Sequence, residues 1–170
     1  MAIRQKKLFF GSFLGMLLTV FHAAAADVPV AGWVENVTIY PGSLRLKAKL
    51  DTGALTSSLD VPRFERYRSG EKDWVRFSLT DFEGHSAVID RPIVRIAKIK
   101  RPGSTRQERV VVVIGVCLGA TFEEIEVTLN DRTGFNYQLL LGRKFLSGKF
   151  LVDSSRTFLL ETRCPNPPSK

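Results

Sequence analysis

Seven residues, Leu44 to Leu50, alternate without a break: Leu44, Leu46, Ala48 and Leu50 are apolar, and Arg45, Lys47 and Lys49 are basic. A period of two sends the two sets to opposite faces of an extended chain, so this stretch reads as a half-buried strand. It runs directly into Asp51-Thr52-Gly53-Ala54. A strand is thereby made to deliver a carboxylate into a tight turn. Gly53 admits backbone geometry that a Cβ forbids and lets its amide approach the carboxylate, while the Thr52 hydroxyl can lock the turn. An ordered carboxylate in a controlled environment is what general acid–base chemistry needs. The same tripeptide also closes many plain turns, so by itself it carries little weight.

The rest of the chain extends the β reading. Val75, Phe77 and Leu79 alternate with Arg76, Ser78 and Thr80, and Ile125, Val127 and Leu129 alternate with Glu124, Glu126 and Thr128. Val110 to Ile114 is an unbroken β-branched run, the mark of a strand buried on both faces. Shorter candidates are Val37–Tyr40, Ile93–Ile99, Tyr137–Leu141, Phe150–Val152 and Thr157–Leu160. Turn signals fall between them at Pro41-Gly42, Glu83-Gly84, Arg101-Pro102-Gly103 and Asp131-Arg132-Thr133-Gly134. Helical periodicity is confined to one short candidate at 143–148, and residues 61–70 are polar and aromatic without a period. Many short strands with regular turns predict an antiparallel all-β sandwich or closed barrel with at most one or two short helices.

The first 26 residues stand apart. Arg4, Lys6 and Lys7 precede an apolar run from Leu8 to Phe21, and Ala24-Ala25-Ala26 follows. This is the layout of a secretory signal peptide, and the run is short for a membrane span. The expected organisation is therefore a leader at 1–26, one domain at 27–160 and an irregular tail at 161–170 that holds three prolines. Removing the leader leaves 144 of the 170 residues, enough for one core, and lowers the formal charge from +8 to +5. The expected location is periplasmic or secreted, without a membrane span after cleavage. A modest positive excess favours an anionic partner such as an acidic peptide, but it equally serves solubility. No basic run is interleaved with aromatics, so nucleic acid is not expected. Cys117 and Cys164 either form a disulfide, which export permits, or remain thiols, with Cys117 buried in its apolar run.

About ninety residues after Asp51, Leu139-Leu140-Leu141-Gly142-Arg143 gives a second apolar strand that ends abruptly in glycine. Three segments then carry a resemblance: Asp51-Thr52-Gly53-Ala54-Leu55-Thr56-Ser57-Ser58-Leu59, Val127-Thr128-Leu129-Asn130-Asp131-Arg132, and Leu140-Leu141-Gly142-Arg143-Lys144-Phe145-Leu146 followed by Phe150-Leu151-Val152-Asp153. Together they resemble the retropepsin-like aspartic peptidases, and among them the bacterial proteins labelled ATP-dependent zinc proteases, over roughly residues 29–161. The chain departs from that pattern at Lys49, which stands where the first of two apolar residues would precede the aspartate. Neither half of the label suits the residues. His85 is the only histidine outside the leader, whereas hydrolytic zinc takes about three protein ligands. The segment Gly142 to Phe150 has five residues between its glycines and Phe150 where a phosphate loop needs Ser or Thr. No metal and no cofactor are therefore expected.

The resemblance implies an exported aspartic peptidase with Asp51, Thr52 and Gly53 as catalytic elements and Ala54, Thr56 and Arg143 near the substrate. Aspartic proteolysis uses two carboxylates, and a single Asp-Thr-Gly supplies half of them. A symmetric homodimer would bring two copies of Asp51 together, with Thr52 bonding across the axis. Arg143 either holds an acidic substrate side chain or bridges to a nearby carboxylate. Asp60 and Asp153 are expected to be caps or surface carboxylates, and Arg91, Arg95 and Arg101 a solvated strand face or a basic rim. His85 is expected on an exposed loop, or alternatively at the tip of a flap over the cleft. The competing expectation is a non-catalytic cell-envelope module that holds a peptide or polymer on the same fold.

Overall fold

The computed structural model describes residues 27–99, 107–132 and 134–164. The leader, Arg101-Pro102-Gly103, Thr133 and residues 165–170 lie outside the described residues. Twelve strands and one helical turn follow in order: β1 (Val30–Gly32), β2 (Val34–Tyr40), β3 (Leu44–Leu50), β4 (Ser57–Asp60), β5 (Phe64–Ser69), β6 (Lys72–Thr80), β7 (Ser86–Pro92), β8 (Arg95–Ile99), β9 (Gln107–Leu118), β10 (Thr121–Asn130), β11 (Leu139–Leu141), α1 (Arg143–Leu146) and β12 (Leu151–Asp153).

Six strands close on themselves in the order β3, β2, β9, β10, β4, β11, because β9 and β10 pair with each other as well as with the strands beside them. This ring is the barrel of the two all-β forms expected, though not wholly antiparallel, since β3–β11 and β4–β10 pair in parallel, and closure removes the free edges an open sheet would present. Leu44, Leu46, Ala48 and Leu50 of β3 are buried inside it, whereas Arg45 and Lys47 are exposed. Full burial contributes about 1.5–3 kcal/mol for each leucine, which fixes the register of β3: a slip of one residue would drive its basic set into the core. Val110, Val111, Val112 and Ile114 of β9 are all buried, as their β-branched run implies. Strand β8 pairs on β9 outside the ring, β5, β6 and β7 make a separate antiparallel sheet, and β1 pairs in parallel with β12.

Three local expectations change. Residues 61–70 contain strand β5, whose side chains are mostly exposed and so show no apolar period. The candidate Ile93–Ile99 is cut short: Pro92 ends β7, the Ile93 and Val94 amides turn to Asp73 O and Val111 O, and β8 starts only at Arg95. Thr157–Leu160 joins no ladder. Phe158 adopts a left-handed φ of 54°, and the Leu159 and Leu160 amides donate to the carboxylate of Glu35 at 2.8 and 3.2 Å.

Glu35 itself was not foreseen. It is fully buried on β2 and also accepts the Gly32 amide at 2.6 Å. A buried charge persists only where such partners satisfy it, so Glu35 works as an internal fastener between the start of the barrel and the C-terminal segment. That segment is tied a second time by a Cys117–Cys164 disulfide, Cα–Cα 5.9 Å, which decides between the two expectations for the cysteines. Among the described residues no helix is long and apolar enough to cross a membrane.

Candidate active site

Strands β3 and β4 flank the Asp51 loop but do not pair with each other. Strand β11 lies between them, parallel to β3 and antiparallel to β4, with Leu141 opposite Leu50. The Asp51 amide donates to Leu141 O at 2.8 Å, so the catalytic candidate is gripped by the end of the inserted strand. The chain then passes under the loop at Gly142. Its amide donates to Ser57 Oγ at 3.2 Å, the Arg143 amide to Ala54 O at 2.8 Å and the Lys144 amide to Leu55 O at 3.1 Å. Gly142 is required here by proximity and not by its dihedral angles. A Cβ would stand 2.7 Å from Thr56 O and 3.0 Å from Ala54 O, both backbone atoms that cannot swing away. Gly142→Ala is therefore expected to cost about 2–3 kcal/mol of stability by overpacking and to displace the loop. A denaturation midpoint equal to that of the parent protein would contradict this.

Within the loop, Asp51 Oδ1 accepts the amides of Gly53 at 3.0 Å and Ala54 at 3.2 Å, and Lys49 Nζ stands 3.4 Å from Oδ2. Burial pushes the Asp51 carboxyl up, but the Gly53 and Ala54 amides and the Lys49 charge together outweigh it and hold the group below the usual carboxylate range. Its side chain is 24% exposed, open enough to meet a second molecule. Thr52 is exposed and its hydroxyl has no intrachain partner among the described residues.

The structure thus brings Asp51, Thr52, Gly53, Ala54, Thr56 and Arg143 together around the end of β11. Ala54 and Thr56 meet the β11 end through their carbonyls. The Arg143 guanidinium donates to Thr52 O at 3.0 Å and Gly53 O at 2.8 Å. These are bridging contacts, but to loop carbonyls instead of a carboxylate. Sequence offered no signal for this, because a carbonyl acceptor belongs to any residue.

The other candidates fall elsewhere. Asp60 accepts the Arg132 amide, and Asp153 takes Ser155 and Arg156, which hold its pKa down to about 2, so both are caps. Arg95 pairs with Glu126 at 2.6 Å on the strand face, and Arg101 lies outside the described residues. His85 is exposed on the β6–β7 turn beside Asp81 and Glu83, the one trio among the described residues with metal-compatible spacing. Asp81 there already accepts amides of Arg45, Glu83 and His85, and Arg45 pairs with Glu83, so the group closes the turn.

A closed barrel whose Asp-Thr-Gly loop is threaded by an inserted apolar strand ending in glycine defines the retropepsin-like class. The chain belongs to the family described as retropepsin-like aspartic endopeptidase RimB, whose model matches residues 30–163. A structure of a Legionella pneumophila protein of unknown function superposes with a TM-score of 0.66 and 31% identity, covering 78% of this chain and 98% of that one. Among curated proteins, the chain is similar to a "Probable alpha-L-glutamate ligase" of Shewanella pealeana, 33% identical over 118 residues, 68% of this chain and 26% of that one. One of the same name from Parasynechococcus marenigrum is 30% identical over 111 residues, 64% of this chain and 24% of that one. The chain spans about a quarter of the length of these curated relatives.

Proposed function

We propose that this chain is an exported aspartic-type endopeptidase whose two catalytic carboxylates are the Asp51 residues of a homodimer. The observation that carries the reading is the loop itself: one rigidly held, partly exposed carboxylate, with an exposed Thr52 beside it and no second Asp-Thr-Gly in the chain. Half a site on each subunit is completed by a two-fold axis. A mostly apolar hollow, formed by Leu146, Phe150, Leu151 and Val152 with Thr52, Arg143 and Ser147, adjoins the loop, and Leu151 is 59% exposed, which supports burial against a second copy.

In such a pair, two like charges cannot both stay ionised, so one Asp51 keeps a proton. The ionised partner takes a proton from water, which attacks the scissile carbonyl carbon. The protonated partner donates a hydrogen bond to the carbonyl oxygen as charge develops there. Collapse of the tetrahedral intermediate breaks the C–N bond, and the departing amine leaves with a proton from the pair. Acidic peptides are the favoured substrates. Support comes from the positive charge outside the leader and from the similarity to proteins named for joining glutamate. Export rests on the leader pattern and is supported by the Cys117–Cys164 disulfide, which belongs in an oxidising compartment.

The test is turnover of a mixed peptide library from acidic to neutral pH, with and without chelator, beside sedimentation over a range of concentrations. Chelator-resistant cleavage whose specific activity rises as dimer forms is the expected result. A pure dimer that binds peptides and cleaves none would establish the envelope-binding module instead, and cleavage abolished by chelator would restore the zinc reading.

A further inference from the structure

The basic face of β3 ends at the catalytic loop. Lys49 stands two residues before Asp51, and its Nζ lies 3.4 Å from Asp51 Oδ2 with the side chain 41% exposed. That single long contact uses one of the three donors of an ammonium, and the others have no protein acceptor among the described residues. Across the ladders Lys49 faces Val34 on β2 and Leu140 on β11, both apolar, so no carboxylate of the flanking strands competes for it. Two residues back on the same face, Lys47 Nζ lies 5.7 Å from the Phe82 ring centre and 5.9 Å from that of Phe158, without a carboxylate partner among the described residues. Arg45, the next in the row, is neutralised by Glu83. Alternate residues of a strand repeat at about 6.7 Å, the same interval at which an extended peptide presents every second side chain.

We infer that Lys49 is a specificity-determining residue of this site, selecting peptides with a glutamate or aspartate beside the scissile bond, and that Lys47 extends the preference to a second acid. The assignment rests on the peptidase reading but adds to it the group that reads the substrate. A merely electrostatic Lys49 would act on Asp51 alone, and its replacement would change the pH profile equally for every peptide. A substrate-reading Lys49 makes selectivity follow the charge at position 49.

The experiment compares wild type, Lys49→Met and Lys49→Glu on one mixed peptide library, scoring by mass spectrometry the residues that flank each cut. The wild type is expected to favour Glu and Asp over Lys and Arg by about tenfold, Lys49→Met to level the ratio, and Lys49→Glu to invert it. An unchanged ratio in Lys49→Glu, with turnover intact, overturns the assignment and leaves the peptidase reading standing. A second arm measures binding of a glutamate-rich peptide at low salt to Asp51→Asn and to Asp51→Asn/Lys49→Glu, expecting about tenfold weaker binding by the double variant. That loss without any turnover by the wild type would sink the peptidase reading and keep Lys49 as the acid-binding residue. No turnover together with equal binding would sink both.

Discussion

Asp51→Asn is expected to lower kcat/KM by about a thousandfold or more, since both proton transfers of the proposed reaction run through this carboxylate. The fold should survive the change. An amide has the shape of a carboxylate, and its oxygen can accept the Gly53 and Ala54 amides that Asp51 Oδ1 accepts at 3.0 and 3.2 Å. What disappears is the attraction to Lys49, a partly exposed pair contributing about 0–1 kcal/mol. Activity should therefore collapse while the denaturation midpoint barely moves. The pH profile of the parent enzyme follows from the same contacts. The loop amides and Lys49 favour the ionised form and burial opposes it, so an isolated Asp51 titrates below the usual carboxylate range. Bringing two copies together adds like-charge repulsion, which raises the second ionisation. In the proposed dimer activity needs one proton on the pair, so it should fall at low pH when both are protonated and again at higher pH when both are ionised, with both values belonging to the pair. Assays of wild type and Asp51→Asn across that range, together with thermal melts, check both halves. A variant that retained more than a tenth of wild-type turnover would remove Asp51 from the mechanism.

How much of this was legible beforehand depended on whether side chains or backbone carried the information. The period of two at Leu44–Leu50 is a solvent-partition signal, and the barrel kept it residue by residue. The Asp51 loop and the Leu139–Gly142 strand were each readable as local patterns, but no property of either segment alone says that the two pair. Arg143 could be placed at the site but its role could not, because its partners are the carbonyls of Thr52 and Gly53. Strand β5 was missed because Phe64, Glu65 and Arg66 are all exposed, so no burial pattern marks the ladder it makes with β6. Glu35 was missed for the opposite reason. A glutamate in a strand reads as an outward residue, whereas here the amides of Gly32 and of the sequence-distant Leu159 and Leu160 satisfy it inside. The cysteine pair was undecidable at a sequence separation of 47, since spacing alone says nothing of the 5.9 Å that separates the two Cα atoms.

Reducing the Cys117–Cys164 bond, or replacing Cys164 by Ala, is expected to cost about 4 kcal/mol, the loop entropy a cross-link of this span removes from the unfolded chain. For a domain of this size that is a large share of total stability. The effect should reach the site, because the strap the disulfide anchors is tied to the barrel residue by residue. Arg163 donates to Gly119 O at 2.7 Å, the Thr162 hydroxyl to Asn36 O at 2.8 Å, and Phe158 to Val34 O at 2.9 Å. Arg156 O accepts the Trp33 amide at 3.0 Å, and Trp33 O in turn accepts the amide of Leu50, the residue before Asp51, at 2.9 Å. Glu35 is the second fastener along the same strap, so loss of the disulfide and Glu35→Ala should not add. Once the strap has left, the carboxylate no longer has Leu159 and Leu160 to satisfy, and the double variant should fall short of the sum of the single losses. Urea denaturation of the oxidised, reduced, Glu35→Ala and doubly altered proteins measures each term. A disulfide contribution below about 1 kcal/mol would mean that the strap is held by Glu35 and its backbone bonds alone. Strict additivity would mean that the two fasteners hold separate units and that the path from the C-terminal segment to Leu50 carries no coupling.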